Sequence, residues 1–366
     1  MRIAIGSLQM SDHSQPILTG EAGVRRLQLF RGLSLFVSMA QSAPTIRTTE
    51  PVQRFKASTV HLRPIASVLI SIMNVRITEV PIQRLNGSLQ TDESDYLAAE
   101  EPLEIRVEGR NVAVVMRTPG EDEELAAGFL VTEGLIRDTA DIVNISHVPH
   151  CPEASSGSRL MDGNAVNVRL KNPAVLDFGK LTRHVFTSSS CGICSKATIE
   201  AVRRQFPPID DACAVDSEVL SRLPQALSVS QHAFNRTGGL HACALFDLRG
   251  NLLMLREDVG RHNALDKVIG RSLLNNCMPL KERVLLLSGR ASFEMMQKAL
   301  AGGVAIVAAI SAPSSLAVMF ARDSGQTLVG FLRNTRMNIY AGTERVVNAV
   351  SLANGPSISK REMPAK

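Results

Sequence analysis

Arg283-Val284-Leu285-Leu286-Leu287-Ser288-Gly289-Arg290 opens the stretch that decides the fold, and Val304-Ala305-Ile306-Val307-Ala308-Ala309-Ile310-Ser311-Ala312-Pro313-Ser314 repeats its plan. Each is a short apolar run, continuous rather than alternating, halted by small polar residues. Ser292–Ala301 between them reads as a helix, Leu316–Arg322 after them as another, and Gln326–Phe331 as a third strand. Strand, helix, strand, helix, strand with unbroken apolar strands predicts a parallel sheet covered on both faces. Sites in such sheets form beyond the carboxyl ends of the strands. Ser288-Gly289-Arg290, Ser311-Ala312-Pro313-Ser314 and Leu332-Arg333-Asn334-Thr335-Arg336 are therefore expected to converge on one rim. Arg290, Arg333 and Arg336, flanked there by helix N-termini, suit phosphate or another polyanion; the plainer reading is solvated strand-end charge. No P-loop and no G-x-G-x-x-G is present, so a standard nucleotide fold has no motif support.

Upstream, Leu103–Val107 and Val112–Met116 flank the turn Glu108-Gly109-Arg110-Asn111 as a hairpin. Glu121–Leu135 reads as a helix with an acidic first turn, Asp138–Gly163 as loop, and Ala165–Leu170 as a strand. These make a smaller N-terminal α+β lobe over 73–180, ahead of a main domain over 181–350 and a flexible tail over 351–366. Residues 1–72 differ in character: three acids, Asp12, Glu21 and Glu50, stand against eight Arg and Lys. They read as a disordered extension or an over-called start ahead of Met73. Pro207-Pro208 begins what reads as a polar linker, and Leu252–Leu255 returns from the turn Arg249-Gly250-Asn251.

The 366 residues suffice for two ordinary domains, and 45% hydrophobic against 20% charged residues is a soluble globular composition. Aromatics at 4%, with no Trp, argue against a nucleic-acid reader built on base stacking. The net charge of +5 comes mostly from residues 1–72, so the globular part carries no electrostatic case for nucleic acid or membrane. No stretch reaches the roughly 18 apolar residues that span a bilayer. Six irregularly spaced cysteines fit a reducing, cytoplasmic compartment rather than a disulfide framework.

Two clusters carry chemistry. In Thr187-Ser188-Ser189-Ser190-Cys191-Gly192-Ile193-Cys194-Ser195-Lys196 the cysteines stand at the start of a helical pattern that runs to about Gln205. Unpaired N–H groups, the helix dipole and Lys196 all favour thiolate there. The motif alone fits covalent sulfur chemistry, a redox pair, half a zinc site or an incidental pair. His241 with Cys243 could complete a zinc site, at an unorthodox spacing. The second cluster, Glu257-Asp258-Val259-Gly260-Arg261-His262, packs acids, an arginine and a histidine into a turn before a helix. His262 could move protons; equally, Asp258 could cap the helix and His262 be a structural donor.

Five motifs occur in order: Ser190-Cys191-Gly192-Ile193-Cys194-Ser195-Lys196, Gly239-Leu240-His241-Ala242, Glu257 through Lys267, Ser288-Gly289-Arg290-Ala291-Ser292-Phe293-Glu294-Met295, and Leu328-Val329-Gly330-Phe331. Together, from about Ile105 to Arg345, they resemble the formate dehydrogenase accessory sulfurtransferase family (FdhD/NarQ). The resemblance implies a cytidine deaminase-like α/β core and a homodimer. It also implies a sulfurtransferase that accepts sulfur from a cysteine desulfurase as a cysteine persulfide. The sulfur passes to the bis-molybdopterin guanine dinucleotide molybdenum cofactor needed by formate dehydrogenase. Cys191 matches the persulfide-bearing cysteine, with Cys194 assisting, and the cofactor-binding segment falls on Phe331, Leu332, Arg333, Asn334, Thr335 and Arg336, with no metal ligands of the protein's own. Ser195 stands where many members have Gly, and Asn334 and Thr335 where they often have Gly or Pro. A zinc deaminase is disfavoured, since His241 is followed by Ala242-Cys243 rather than x-Glu and no Pro precedes the C-x-x-C. The remaining alternative is a non-catalytic chaperone that binds and delivers the molybdenum cofactor.

Overall fold

The computed structural model describes residues 76–148, 163–173 and 206–348, all within the compact unit Leu62–Lys366. Cys191, Cys194 and their helix, the 1–72 extension and the 351–366 tail lie outside the described residues.

The chain enters as a ribbon of β1 (Ile77–Asn86) and β2 (Leu89–Ala98), paired antiparallel along their whole length. Its base is anchored where Ile77 packs with Ala233 and Leu240 and the Arg236 guanidinium lies 4.3 Å over the Tyr96 ring. Next come β3 (Glu101–Val107), β4 (Arg110–Arg117), α1 (Asp122–Thr132), β5 (Ile142–His147) and β6 (Ala165–Leu170). The four strands form one sheet in the order β4-β3-β6-β5, with β3 and β6 parallel. The expected hairpin is there, turning through left-handed Glu108 and Gly109. The expected loop 138–163 contains β5.

The second sheet draws on β8 (His241–Asp247), β9 (Leu252–Asp258), β10 (Arg283–Leu287), β11 (Ile306–Ala309), β12 (Thr327–Arg333) and β13 (Arg336–Ala341), in the order β13-β12-β11-β10-β8-β9. β10, β11 and β12 are parallel, joined through α5 (Phe293–Ala301) and α6 (Ser315–Ser324), while β8, β9 and β13 run antiparallel to their neighbours. Alternate residues explain the unbroken apolar runs. Leu285, Leu287, Val307 and Ala309 enter one core, and Val284, Leu286, Ile306 and Ala308 enter the other. Both faces are buried, so no polar alternation is needed.

The expected linker after Pro207-Pro208 is instead largely helical. β7 (Val215–Asp216) leads into α2 (Ser217–Ser230) and α3 (His232–Thr237), and β7 pairs with β14 (Val346–Val347). α2 buries only Leu220, Leu223 and Leu227, a narrow stripe at helical spacing, and carries Pro224 inside it.

The two sheets share one core, in which Leu103, Ile105 and Val168 join Leu285, Val307 and Leu328. Its middle layer is α1 against α4 (Arg261–Leu274). These helices touch backbone to backbone: a Cβ at Gly128 would overlap the Asp266 carbonyl, and one at Gly270 the Glu124 carbonyl.

Candidate functional site

The rim assembles as the strand order requires. Ser288 N–H donates to Ala242 O (3.0 Å), and its hydroxyl accepts from Ala242 N–H (2.8 Å). Ala291 bridges Pro313, and Phe331 N–H donates to Ser311 O (3.1 Å). The turns after β10 and β11 therefore meet each other and the end of β12. Of the segment Phe331–Arg336, Leu332 points into the core with no exposure, whereas Phe331 is 42% exposed. Phe331 takes φ 51°, a left-handed backbone rare for an aromatic residue, where the β12–β13 register slips between Gly330 and Arg333. Gly330 is required there, because a Cβ would press on Pro313 and Tyr340. Arg333 pairs with Arg336 across a two-residue turn whose Asn334 has φ 51°. Asn accepts that conformation better than any β-branched residue, which accounts for its standing in a position that suits Gly. Arg290, Arg333 and Arg336 are exposed. The helix N-termini expected at the rim carry side-chain caps, Ser292 on α5 and Ser314 on α6, whereas α4, which follows β9, begins at Gly260 with no side-chain cap.

The acid-rich motif divides into two groups. Glu257 accepts from Ala233 and Phe234 N–H and so caps α3. Asp258 is fully buried. It pairs with Lys267 Nζ at 2.8 Å and accepts from the N–H groups of Thr118 and Gly260 and from Asn263 Nδ2. Lys267, also without exposure, donates to Thr118 O. Burial depresses its pKa, and Asp258 opposes that shift only in part. Asp266 holds Lys298, whose pKa burial would lower but Asp266 and Glu133 raise. These side chains are structural, but Asp258 does not cap α4: it accepts from the N–H of Gly260, ahead of the first helical N–H groups.

Arg261 and His262 belong to the other group and face the rim. A Cβ at Gly289 would lie 3.2 Å from His241 Nδ1 and 3.9 Å from Arg261 Cδ, so the start of β8, the end of β10 and the start of α4 meet at one corner. His262 Nε2 lies 2.8 Å from Glu294 Oε2, on the first turn of α5. The two groups are close enough to pair, although the ring N–H is not well aligned on the carboxylate. His262 nonetheless holds the Glu294 carboxyl below its usual range. Burial, then Arg261 and His262, lower the His241 pKa. The His262–Glu294 pair had a visible signal in sequence, since both residues stand in the first turn of a helix that follows a rim strand.

Cys243, weighed as a zinc ligand with His241, has no exposure, and burial pushes its thiol well up. Cys213 is likewise pushed up to about 11 by burial and by Asp211. Among the described residues no group of three or more His, Cys, Asp or Glu could hold a metal ion, and no helix is long and apolar enough to cross a membrane.

The model of the FdhD/NarQ family matches residues 98–347. The chain belongs to the FdhD/NarQ family. Among its relatives in FdhD/NarQ, the sulfur carrier protein FdhD of Streptomyces avermitilis is 48% identical over 285 residues, covering 76% of this chain and 99% of that one. The sulfur carrier protein FdhD of Sulfolobus acidocaldarius is 39% identical over 272 residues, covering 74% of this chain and 99% of that one. The crystal structure of a protein described as a formate dehydrogenase accessory protein from Desulfotalea psychrophila superposes with a TM-score of 0.58 at 25% identity, covering 74% of this chain and 99% of that one.

Proposed function

We propose that this chain is a sulfur carrier serving formate dehydrogenase. On this reading it takes sulfur from a cysteine desulfurase as a persulfide on Cys191 and delivers it to the bis-molybdopterin guanine dinucleotide molybdenum cofactor, its substrate. The relatives named sulfur carrier protein FdhD support the sulfur-carrying role, and the Cys191-x-x-Cys194 motif supports its chemistry. The observation that carries the cofactor half is the Phe331–Arg336 segment. A strained backbone turns an aromatic ring out beside two exposed arginines at the carboxyl ends of parallel strands. Such a ring suits a guanine face and such arginines suit phosphate. Neither Arg333 nor Arg336 has a carboxylate partner among the described residues, so both are available to an anion.

In the loading step the Cys191 thiolate attacks the outer sulfur of the desulfurase persulfide. The S–S bond breaks, the desulfurase cysteine leaves as thiolate with the electron pair, and Cys191 carries the new persulfide. No oxidant is needed, and Cys194 assists. The reading includes a homodimer working in the cytoplasm, a deaminase-like core over 181–350 that no longer deaminates, and no nucleic-acid or membrane partner.

Intact-mass spectrometry after incubation with a cysteine desulfurase and cysteine tests it. Wild type should gain one sulfur, ~32 Da, removable by reductant, and Cys191→Ala should gain none. A wild-type protein that gains no sulfur yet binds the guanine-dinucleotide cofactor would instead be a delivery chaperone.

A further inference from the structure

We propose that the corner where α4 begins is a second anion subsite, in which Arg261, with His241 and His262, takes a phosphate of a nucleoside diphosphate group. The source of that phosphate rests on the cofactor reading above; the subsite itself rests on the corner.

Four observations converge there. First, the groups are brought together by the fold rather than by sequence, with Gly289 backing onto both His241 Nδ1 and Arg261 Cδ. Second, Arg261 Nε is a buried nitrogen with no aligned acceptor among the described residues. Arg Nε–H is always a donor, and a buried donor without an acceptor is costly enough to be rare. Third, α4 is 14 residues long and starts at Gly260 without a side-chain cap, in contrast to α5 and α6. Its first N–H groups add to the same donor field. Fourth, the nearby carboxylates are accounted for. Asp258 is neutralised by Lys267 and saturated with donors, and Glu294 sits against His262.

A purely structural corner leaves Arg261 Nε without an acceptor among the described residues. Glu257, Asp258, Asn263, Asp266 and Lys267 each make a bond that holds helices or lobes together. Arg261 makes no aligned bond through its buried nitrogen. The subsite also differs from the β12–β13 turn, whose arginines are exposed. A dinucleotide-sized substrate has phosphate for both.

Isothermal titration calorimetry on the full chain, with GDP and separately with pyrophosphate, decides it. Wild type should bind both, and Arg261→Gln should weaken both by about 10- to 100-fold. Arg261→Lys should recover part of the loss, since it keeps charge without the fork. His262→Gln is the second variant and should lose roughly tenfold. If Arg261→Gln fails to fold, unchanged affinity in both Arg261→Lys and His262→Gln overturns the proposal, and a loss in both supports it. GDP binding that Arg261→Gln leaves within twofold of wild type keeps the cofactor reading and overturns the subsite. Arg261-dependent binding of pyrophosphate without binding of GDP keeps the subsite and overturns the guanine-dinucleotide reading. Binding of neither probe overturns both.

Discussion

The interior and the rim of this molecule use the same charged residue types in opposite ways. Inside, Arg117 forks onto Asp122 at 2.9 and 3.0 Å, Arg256 onto Glu124 at 2.6 and 2.9 Å, Lys267 meets Asp258 and Lys298 meets Asp266. Every one of these cations has its carboxylate. On the rim, Arg261 has a buried nitrogen without an acceptor, and Arg290, Arg333 and Arg336 face solvent. A cation paired at low exposure fixes register between helices and sheets; a cation left unpaired at the end of a parallel sheet is available to something else. The difference shows that charge count alone does not mark a site; what distinguishes the rim is charge without a carboxylate among the described residues.

The sharpest way to break the comparison is at the interior pair. Asp258→Ala leaves Lys267 buried and uncompensated, and should cost about 3–5 kcal/mol in denaturant unfolding. A loss under 1 kcal/mol would mean that the pair is not holding α4 to β9. Gly270→Ala comes next. It drives a methyl into the Glu124 carbonyl, so α1 and α4 must separate, for about 1–3 kcal/mol; a thermal melt at wild-type temperature would show the crossing to be looser than described. The smallest effect belongs to the rim. Glu294 is depressed by His262, so its contribution is present above its unfolded value of about 4.3 and fades as pH falls through the folded value. Its partial exposure keeps Glu294→Gln under about 1 kcal/mol at pH 7. That penalty should vanish in acid, and a penalty independent of pH would assign the effect to packing instead.

Much of the rim was legible in sequence. Unbroken apolar runs mean strands buried on both sides, and Ser288-Gly289-Arg290 and Ser311–Ser314 stop those runs where a parallel sheet must place them together. The partners of the 257–267 motif were not legible. Asp258 is completed by Thr118, 140 residues away, and Arg256 by Glu124, 132 away, and nothing local signals such pairs. The left-handed Phe331 was hidden for a similar reason, since its N–H bonds Ser311 and Pro313 packs beside Gly330, both from the neighbouring turn. α2 was missed because Pro207, Pro208 and Pro224 outweighed a stripe of only three leucines. The β1–β2 ribbon was missed because few of its residues are buried and its alternation has no apolar face to reveal it. Cys191 and Cys194, whose sequence setting suggests thiolate chemistry, lie outside the described residues.

The glycine contact between α1 and α4 has a mechanical consequence. Two helices that meet through backbone, with Arg256–Glu124 and Thr132–Asp266 bonds beside the crossing, cannot slide past one another without breaking that close fit. The pair acts as a weld rather than a hinge. A jaw-like opening of the two sheets would have to pull that contact apart.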